Sequence, residues 1–469
     1  MTSRHISLTV EGGEECALKQ LTSNLLLLSI ILFLIIELQL LASNMDRFLQ
    51  NDTQPVEVTE GNEYTLDEED LTPSMQCRWP PPDIKSIMVN KGFNITLCVR
   101  SSRHASAHKR VKKYALQDLF ALSKFRGSIT FEGLSLLPHR FWERVKKPQI
   151  YLTYPQDVPM SDIVEAVKGG YRVPEMPNYN FPITILSTPK SICQKEGEKY
   201  DLVIVVKSSV LAWDARSSFR EYMRHEIMRN KQLKVGVIFS LGLPRRHGKR
   251  VFDRDGHTIY LPGPAGNMLD IYDGRAAEVM AIINEEIRKY DDIVLADYED
   301  TYYNLTWKTV TNYRWMSAFC RKEDVKLFMT IDDDHRVNLS MVADFIDRIP
   351  VYIRRNSLFG KVAKTDRAYR SPWKKLYLSY REFPWDVMYP YLRGFAHLVG
   401  PDIVADVAIA TAYTRYNYAP EDVYLGMVAF KLGIPNFNEP TMYGHDDYKI
   451  RNKKRNPAMV ALTKFFPTT

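Results

Sequence analysis

The sequence predicts an α/β protein with a largely parallel central sheet. Three observations carry that expectation. Residues 201–206 (DLVIVV) form an unbroken apolar, β-branched run, the pattern of a strand buried on both faces. The same pattern returns at 234–239 and, as KLFMTI, at 326–331. Stretches with helical periodicity lie between these runs, so strands and helices alternate.

Each element follows in order. The first strand at 201–206 is followed by a helical stretch and a second strand from Lys234 to Phe239. Glu278 to Tyr290 reads as an amphipathic helix, because its apolar residues fall on one face. DIVLA at 292–296 is another strand, Tyr303 to Phe319 another helix, and 326–331 a central strand. In sheets of this kind ligands collect at the carboxyl ends of the strands.

The 469 residues carry 63 Lys and Arg against 56 Asp and Glu, a net charge of +7, with 45% hydrophobic and 25% charged residues. That composition excludes wholesale disorder, collagen and a disulfide miniprotein. The charge is mild for the length and gives no argument for nucleic acid as a partner. Leu21 to Leu41 is apolar apart from Glu37 and long enough as a helix to cross a hydrocarbon core of ~30 Å. It reads as a signal anchor, a cleaved signal peptide being the alternative. Arg4 and Lys19 before it favour a cytoplasmic N-terminus.

The expected organisation is therefore a cytoplasmic tail (1–20), an anchor (21–41), an acidic stem (42–75) and an unassigned region (76–178). A catalytic domain (179–450) and a basic C-terminal tail (451–469) complete it. The stem has few large apolar residues and carries Glu57, Glu60, Glu63 and Asp67 to Asp70. A basic run from Arg100 to Lys113 reads as a solvated loop or an anion-binding surface; it lacks the interleaved aromatics of a nucleic-acid site. Four glycosylation sequons begin at Asn51, Asn94, Asn304 and Asn338. Cys16 falls in the tail, leaving Cys77, Cys98, Cys193 and Cys320 on the other side of the membrane. The spacing suggests a local Cys77–Cys98 bridge, with buried free thiols as the alternative.

Chemistry enters directly after KLFMTI, where Asp332, Asp333 and Asp334 stand together. Three adjacent carboxylates are unfavourable unless a cation or donors compensate them. Hard oxygen ligands suit Mn²⁺ or Mg²⁺, whose remaining ligands come from water and a diphosphate. Capping of a following helix is the bland alternative.

Around this triplet the sequence resembles the Golgi β1,3-galactosyltransferase family, which includes β1,3-N-acetylglucosaminyltransferases. VVKSS at Val205 to Ser209, followed by Arg216 and Arg220, is similar to the family's KS…RxxIRxTW segment. DIVLADYEDTYYNLTWKT from Asp292 to Thr309 resembles DxxxxDFxDxYxNLTxKT, and IDDDHRVN from Ile331 to Asn338 resembles the metal motif. YPYLRG from Tyr389 to Gly394 and EDVYLGMVAFKLGI from Glu421 to Ile434 complete five blocks in the family's order. They cover about residues 180 to 440.

The resemblance implies a type II Golgi membrane protein with a lumenal catalytic domain of the GT-A type, using a UDP-sugar and Mn²⁺ or Mg²⁺. A glycan acceptor is the second substrate, and oligomers with other Golgi transferases fit the same picture. Asp334 is the implied metal ligand, with His445 a further candidate, and Asp332 and Asp333 support the ribose and the site's geometry. Asp422 is the implied base, positioned by Glu421. The alternative for this pair is that both acids simply open a helix, where carboxylates are favourable. Arg216, Arg220 and Lys308 are candidates for the uridine diphosphate, with structural ion pairs as the alternative, and Asp297 for the nucleotide pocket. Gly394 and Gly426 are expected where backbones approach closely.

Departures from the family are specific. Its Ile, Thr and Trp in RxxIRxTW are Phe219, Tyr222 and Met223; apolar residues after the triplet are His335 and Arg336; and its Cys and Tyr near YPxYCSGxGY are Leu392 and His397. The proposed metal and base carboxylates are intact. The expected activity is inverting, metal-dependent transfer of galactose, or of N-acetylglucosamine or N-acetylgalactosamine, to a 3-hydroxyl. The rival is a catalytically weak glycan-binding or scaffolding member of the same family.

Overall fold

The central apolar run divides its side chains between two cores. In the computed structural model Leu202, Ile204 and Val206 pack with Phe219, Val279 and Ile283, whereas Val203 and Val205 join Trp315 and Val404 on the opposite face. A strand that alternates between two apolar layers is buried throughout, as this one is. The structure describes residues 160–169, 177, 179–180, 183–194, 197–364, 366–379, 382–383, 387–414, 420–444 and 457–466, and the backbone of 88–89 and 92–94. All lie within one compact unit, 73–469. The expected anchor and stem, Cys77, Cys98 and His445 lie outside the described residues.

In chain order the elements are β1 (Met88–Val89), β2 (Gly92–Asn94), α1 (Met160–Lys168), β3 (Thr184–Ser187), β4 (Leu202–Lys207), α2 (Trp213–Arg229) and β5 (Val235–Leu243). A hairpin, β6 (Val251–Arg254) and β7 (His257–Tyr260), precedes α3 (Gly263–Ile271), α4 (Ala276–Tyr290) and β8 (Ile293–Glu299). A 3₁₀ turn at Tyr302–Asn304 leads into α5 (Leu305–Phe319), then β9 (Phe328–Asp332), β10 (His335–Val337), α6 (Leu339–Arg348), α7 (Val351–Arg355) and β11 (Leu358–Ala363). The series closes with β12 (Tyr391–Val399), α8 (Val404–Tyr413), α9 (Glu421–Lys431), β13 (Asn436–Asn438) and β14 (Val460–Leu462). Every strand and helix expected between 201 and 331 is present, with ends displaced by a few residues.

The main sheet runs β1-β2-β3-β8-β5-β4-β9-β12-β11-β13. Its heart, β8-β5-β4-β9, is parallel. Antiparallel pairs flank it on both sides, β3 against β8 and β12 against β9. The largely parallel sheet expected from the sequence is thus parallel at the centre and mixed at the edges. No helix among the described residues is long and apolar enough to cross a membrane.

Two features outside 179–450 belong to the folded unit. Helix α1 packs against α8. Part of the segment expected as a basic tail forms β14, which pairs antiparallel with β10, His335 opposite Leu462. The apolar Val460, Ala461 and Leu462 are buried there. A disulfide joins Cys193 to Cys320, across 127 residues of chain, tying the segment before β4 to the end of α5.

Candidate active site

Parallel register sets the site's first contact. Lys207 and Asp332 end neighbouring strands β4 and β9 as direct partners, and the two-residue period points both toward the face covered by α9. The Lys207 ammonium lies 2.9 Å from Asp332 Oδ1 and 2.8 Å from Glu421 Oε1, and donates to the Gly394 carbonyl at 2.6 Å. Burial alone would lower the pKa of this lysine; the two carboxylates instead hold it above its ordinary value.

Glu421 and Asp422 open α9, whose first-turn N–H groups favour negative charge. Close packing brings them in. A Cβ on Gly426 would sit 2.4 Å from Tyr391 Cβ, and one on Gly394 would sit 2.8 Å from Glu421 Oε1, so both glycines permit α9 to lie against β12. Asp422 Oδ2 accepts from the Gly394 amide at 3.0 Å and Oδ1 from the Val423 amide at 2.9 Å. Burial, then the neighbouring Glu421 charge, push the Asp422 carboxyl up to about 7. Burial would raise Glu421 as well, but Lys207 outweighs it and holds that carboxyl below its ordinary range.

The acidic turn is braced separately. Asp333 Oδ2 accepts from Ser208 Oγ at 2.7 Å. Asp334 Oδ1 lies 2.6 Å from Nδ1 of the buried His335, whose ring stacks on Phe395. The Asp334 carbonyl accepts from the Thr463 amide and hydroxyl, so the C-terminal segment holds this turn. Ligand atoms of Asp332, Asp334 and His335 lie within 4.8 Å of one another. Two carboxylates and an imidazole at that spacing fit a first-row divalent cation. His335, counted in the sequence as a departure, is thus part of the candidate metal group.

Arg216, Arg220 and Lys308 are engaged in ion pairs, and Arg216 also reaches Ser208 Oγ, the donor to Asp333, at 3.2 Å. The fully buried Arg216 pairs with Glu286 at 2.5 Å and donates to the Ser209 carbonyl. Arg220 pairs with Asp292 at 2.7 Å and with Glu286 at 2.8 Å. Lys308 pairs with the buried Asp300 at 2.9 Å and donates to the Ser208 carbonyl. Asp300 also accepts from the Val210 amide. The contacts of Arg216, Lys308 and Asp300 hold the 208–210 loop that presents Ser208 to Asp333. Asp297 is exposed on β8. Sequence reasoning missed Lys207 and Asp300, although both stand inside motif blocks it used.

An α/β sheet with a carboxylate-rich site at the carboxyl ends of its central strands is compatible with a GT-A-like sugar transferase. Residues 272–440 match the family model described as galactosyltransferase. The chain is 24% identical over 332 residues to human lactosylceramide 1,3-N-acetyl-β-D-glucosaminyltransferase, covering 70% of this chain and 76% of that protein. It is 33% identical over 175 residues to the β1,3-galactosyltransferase brn of Drosophila melanogaster, covering 35% of this chain and 51% of that protein. With β1,3-galactosyltransferase 5 of Gorilla gorilla gorilla the figures are 28% over 259 residues, 55% and 73%. The match to the Xenopus tropicalis lactosylceramide enzyme spans 39% of that protein. Residues 272–440 are thus similar to the galactosyltransferase family.

Proposed function

We propose that this protein is an inverting, metal-dependent glycosyltransferase that moves a hexose, galactose first among the candidates, from a UDP-sugar to the 3-hydroxyl of a glycan acceptor. It acts as a single-pass type II protein of the Golgi membrane, with its catalytic domain in the lumen. The observation that carries the reading is Asp422, a carboxylate held by two backbone amides and tuned to about 7 beside the acidic turn.

A base of that affinity is half ionised near neutral pH, where general-base catalysis is most effective. Asp422 takes the proton of the acceptor hydroxyl as its oxygen bonds to the anomeric carbon, and the bond to UDP breaks on the opposite face of the sugar. Glu421, fixed by Lys207, keeps the first turn of α9 in place and orients the acceptor. Asp334 with Asp332 and His335 would hold Mn²⁺ or Mg²⁺, which supplies Lewis acidity to offset charge on the leaving diphosphate. Lys207 links the base side of the site to the metal side through Glu421 and Asp332.

The test is a donor screen with Mn²⁺ over a broad acceptor panel, followed by linkage analysis of the product, for wild type, Asp334→Ala and Asp422→Asn. Turnover by wild type to a β1,3 product, lost in both variants, supports the reading. Binding of UDP without turnover of any donor would favour the rival, a glycan-binding family member.

A further inference from the structure

Behind the base lies a small space whose lining includes the paired Lys207 and Glu421 together with Asn312 of α5, Thr330 of β9, His397 of β12 and Asp422 of α9. It is about the size of one water molecule. Asn312 is 2% exposed, and its amide nitrogen has no acceptor among the described residues. A buried N–H left unmet loses its water partners with nothing in return. The other polar groups are engaged: Thr330 Oγ1 lies 3.0 Å from the His397 ring nitrogens, and Tyr313 Oη lies 3.5 Å from Nε2. Burial, then Lys207, push the His397 pKa down to about 3, so its ring is neutral and brings no charge to this space. Asp422 accepts one amide on each oxygen, and each oxygen retains a second lone pair.

We propose that this space holds an ordered water that accepts from Asn312 Nδ2 and donates to the Asp422 carboxylate, which makes Asn312 a positioning residue for the base. The inference rests on Asp422 being the base. A space of this size with an unmet amide donor and free carboxylate lone pairs at its wall is where buried water is found. The water adds a third donor to a carboxylate already held by two amides, and so fixes the direction of its free lone pairs.

The test combines kinetics with crystallography on the same folded protein. Asn312→Leu, similar in volume and without a donor, is expected to lower kcat about tenfold to a hundredfold with donor and acceptor KM within about twofold. Asn312→Ser, with a hydroxyl and room for a second water, is expected to restore most of that loss. In an Asp422→Asn background Asn312→Leu should change the residual rate no further, since the group it positions is gone. A wild-type crystal structure should show the water within hydrogen-bond reach of both side chains. No water in a well-resolved map, an unchanged kcat in Asn312→Leu, or an equal loss in both backgrounds would overturn the proposal. Full activity in Asp422→Asn would instead remove the base reading itself. If Asn312→Leu does not fold, the map and Asn312→Ser decide.

Discussion

The Lys207 ammonium lies 2.8 Å from Glu421 Oε1, across 214 residues of chain, and joins the end of the central strand to the first turn of α9. Replacing it strands Glu421, Asp332 and the Gly394 carbonyl at once. Lys207→Met is expected to cost about 3–5 kcal/mol, the price of an uncompensated buried charge. Chemical denaturation read by circular dichroism checks this, and a loss below 1 kcal/mol, within the range of surface pairs, would count against it.

Asp422 gives a pH prediction with two opposite signs. As a base it works when ionised, so kcat/KM should rise with pH through about 7. Stability runs the other way. Its pKa is raised from 3.8 when unfolded to about 7 when folded, so the native state binds the proton more tightly. The stabilisation is complete below about 4 and is lost as pH rises through about 7. Asp422→Asn should therefore melt above wild type at pH 8 and level with it near pH 4, while losing transfer activity at both. Scanning calorimetry at the two pH values checks the sign.

For the metal group, a chelator should abolish transfer and Mn²⁺ should restore it. Asp334→Ala should remove Mn²⁺ binding measured by titration calorimetry, whether or not any sugar donor is present. His335→Ala should weaken it by about ten- to a hundredfold, as expected when a ligand or the group orienting a ligand is removed. Unchanged Mn²⁺ affinity in Asp334→Ala would move the metal elsewhere.

The paired arginines should report structure. Arg216→Ala leaves Glu286 with Arg220 alone and the Ser209 carbonyl without its donor, and is expected to cost about 1–3 kcal/mol. Arg220→Ala should cost about 1–3 kcal/mol and leave donor KM within about twofold. A large rise in donor KM without loss of stability would return these residues to the nucleotide.

Much of the frame was legible because β4, β5, β8 and β9 are buried on both faces, which demands continuous apolar runs that no loop would carry. The acidic triplet was legible for a similar reason: three adjacent charges stand out against the apolar strand that precedes them. His335 was not, because a histidine after the triplet reads as a departure until its Nδ1 is seen against Asp334. The 457–466 segment was hidden by its basic surroundings, since a three-residue strand carries too little periodicity to be distinguished from a tail. Arg216, Arg220 and Lys308 could be read either way; only the positions of Glu286, Asp292 and Asp300 distinguish an ion pair from a phosphate contact.

The sequence by itself determined the order of strands and helices, the family blocks, and which carboxylates could do chemistry, because these depend on local patterns of burial and charge. The tertiary structure alone decided which groups meet. That Lys207 reaches Glu421, that β14 braces Asp334 through Thr463, and that Asn312 and Asp422 line one water-sized space depend on strand register and helix packing between distant segments. No local pattern encodes those distances, because each is set by two stretches of chain that fold onto a common sheet.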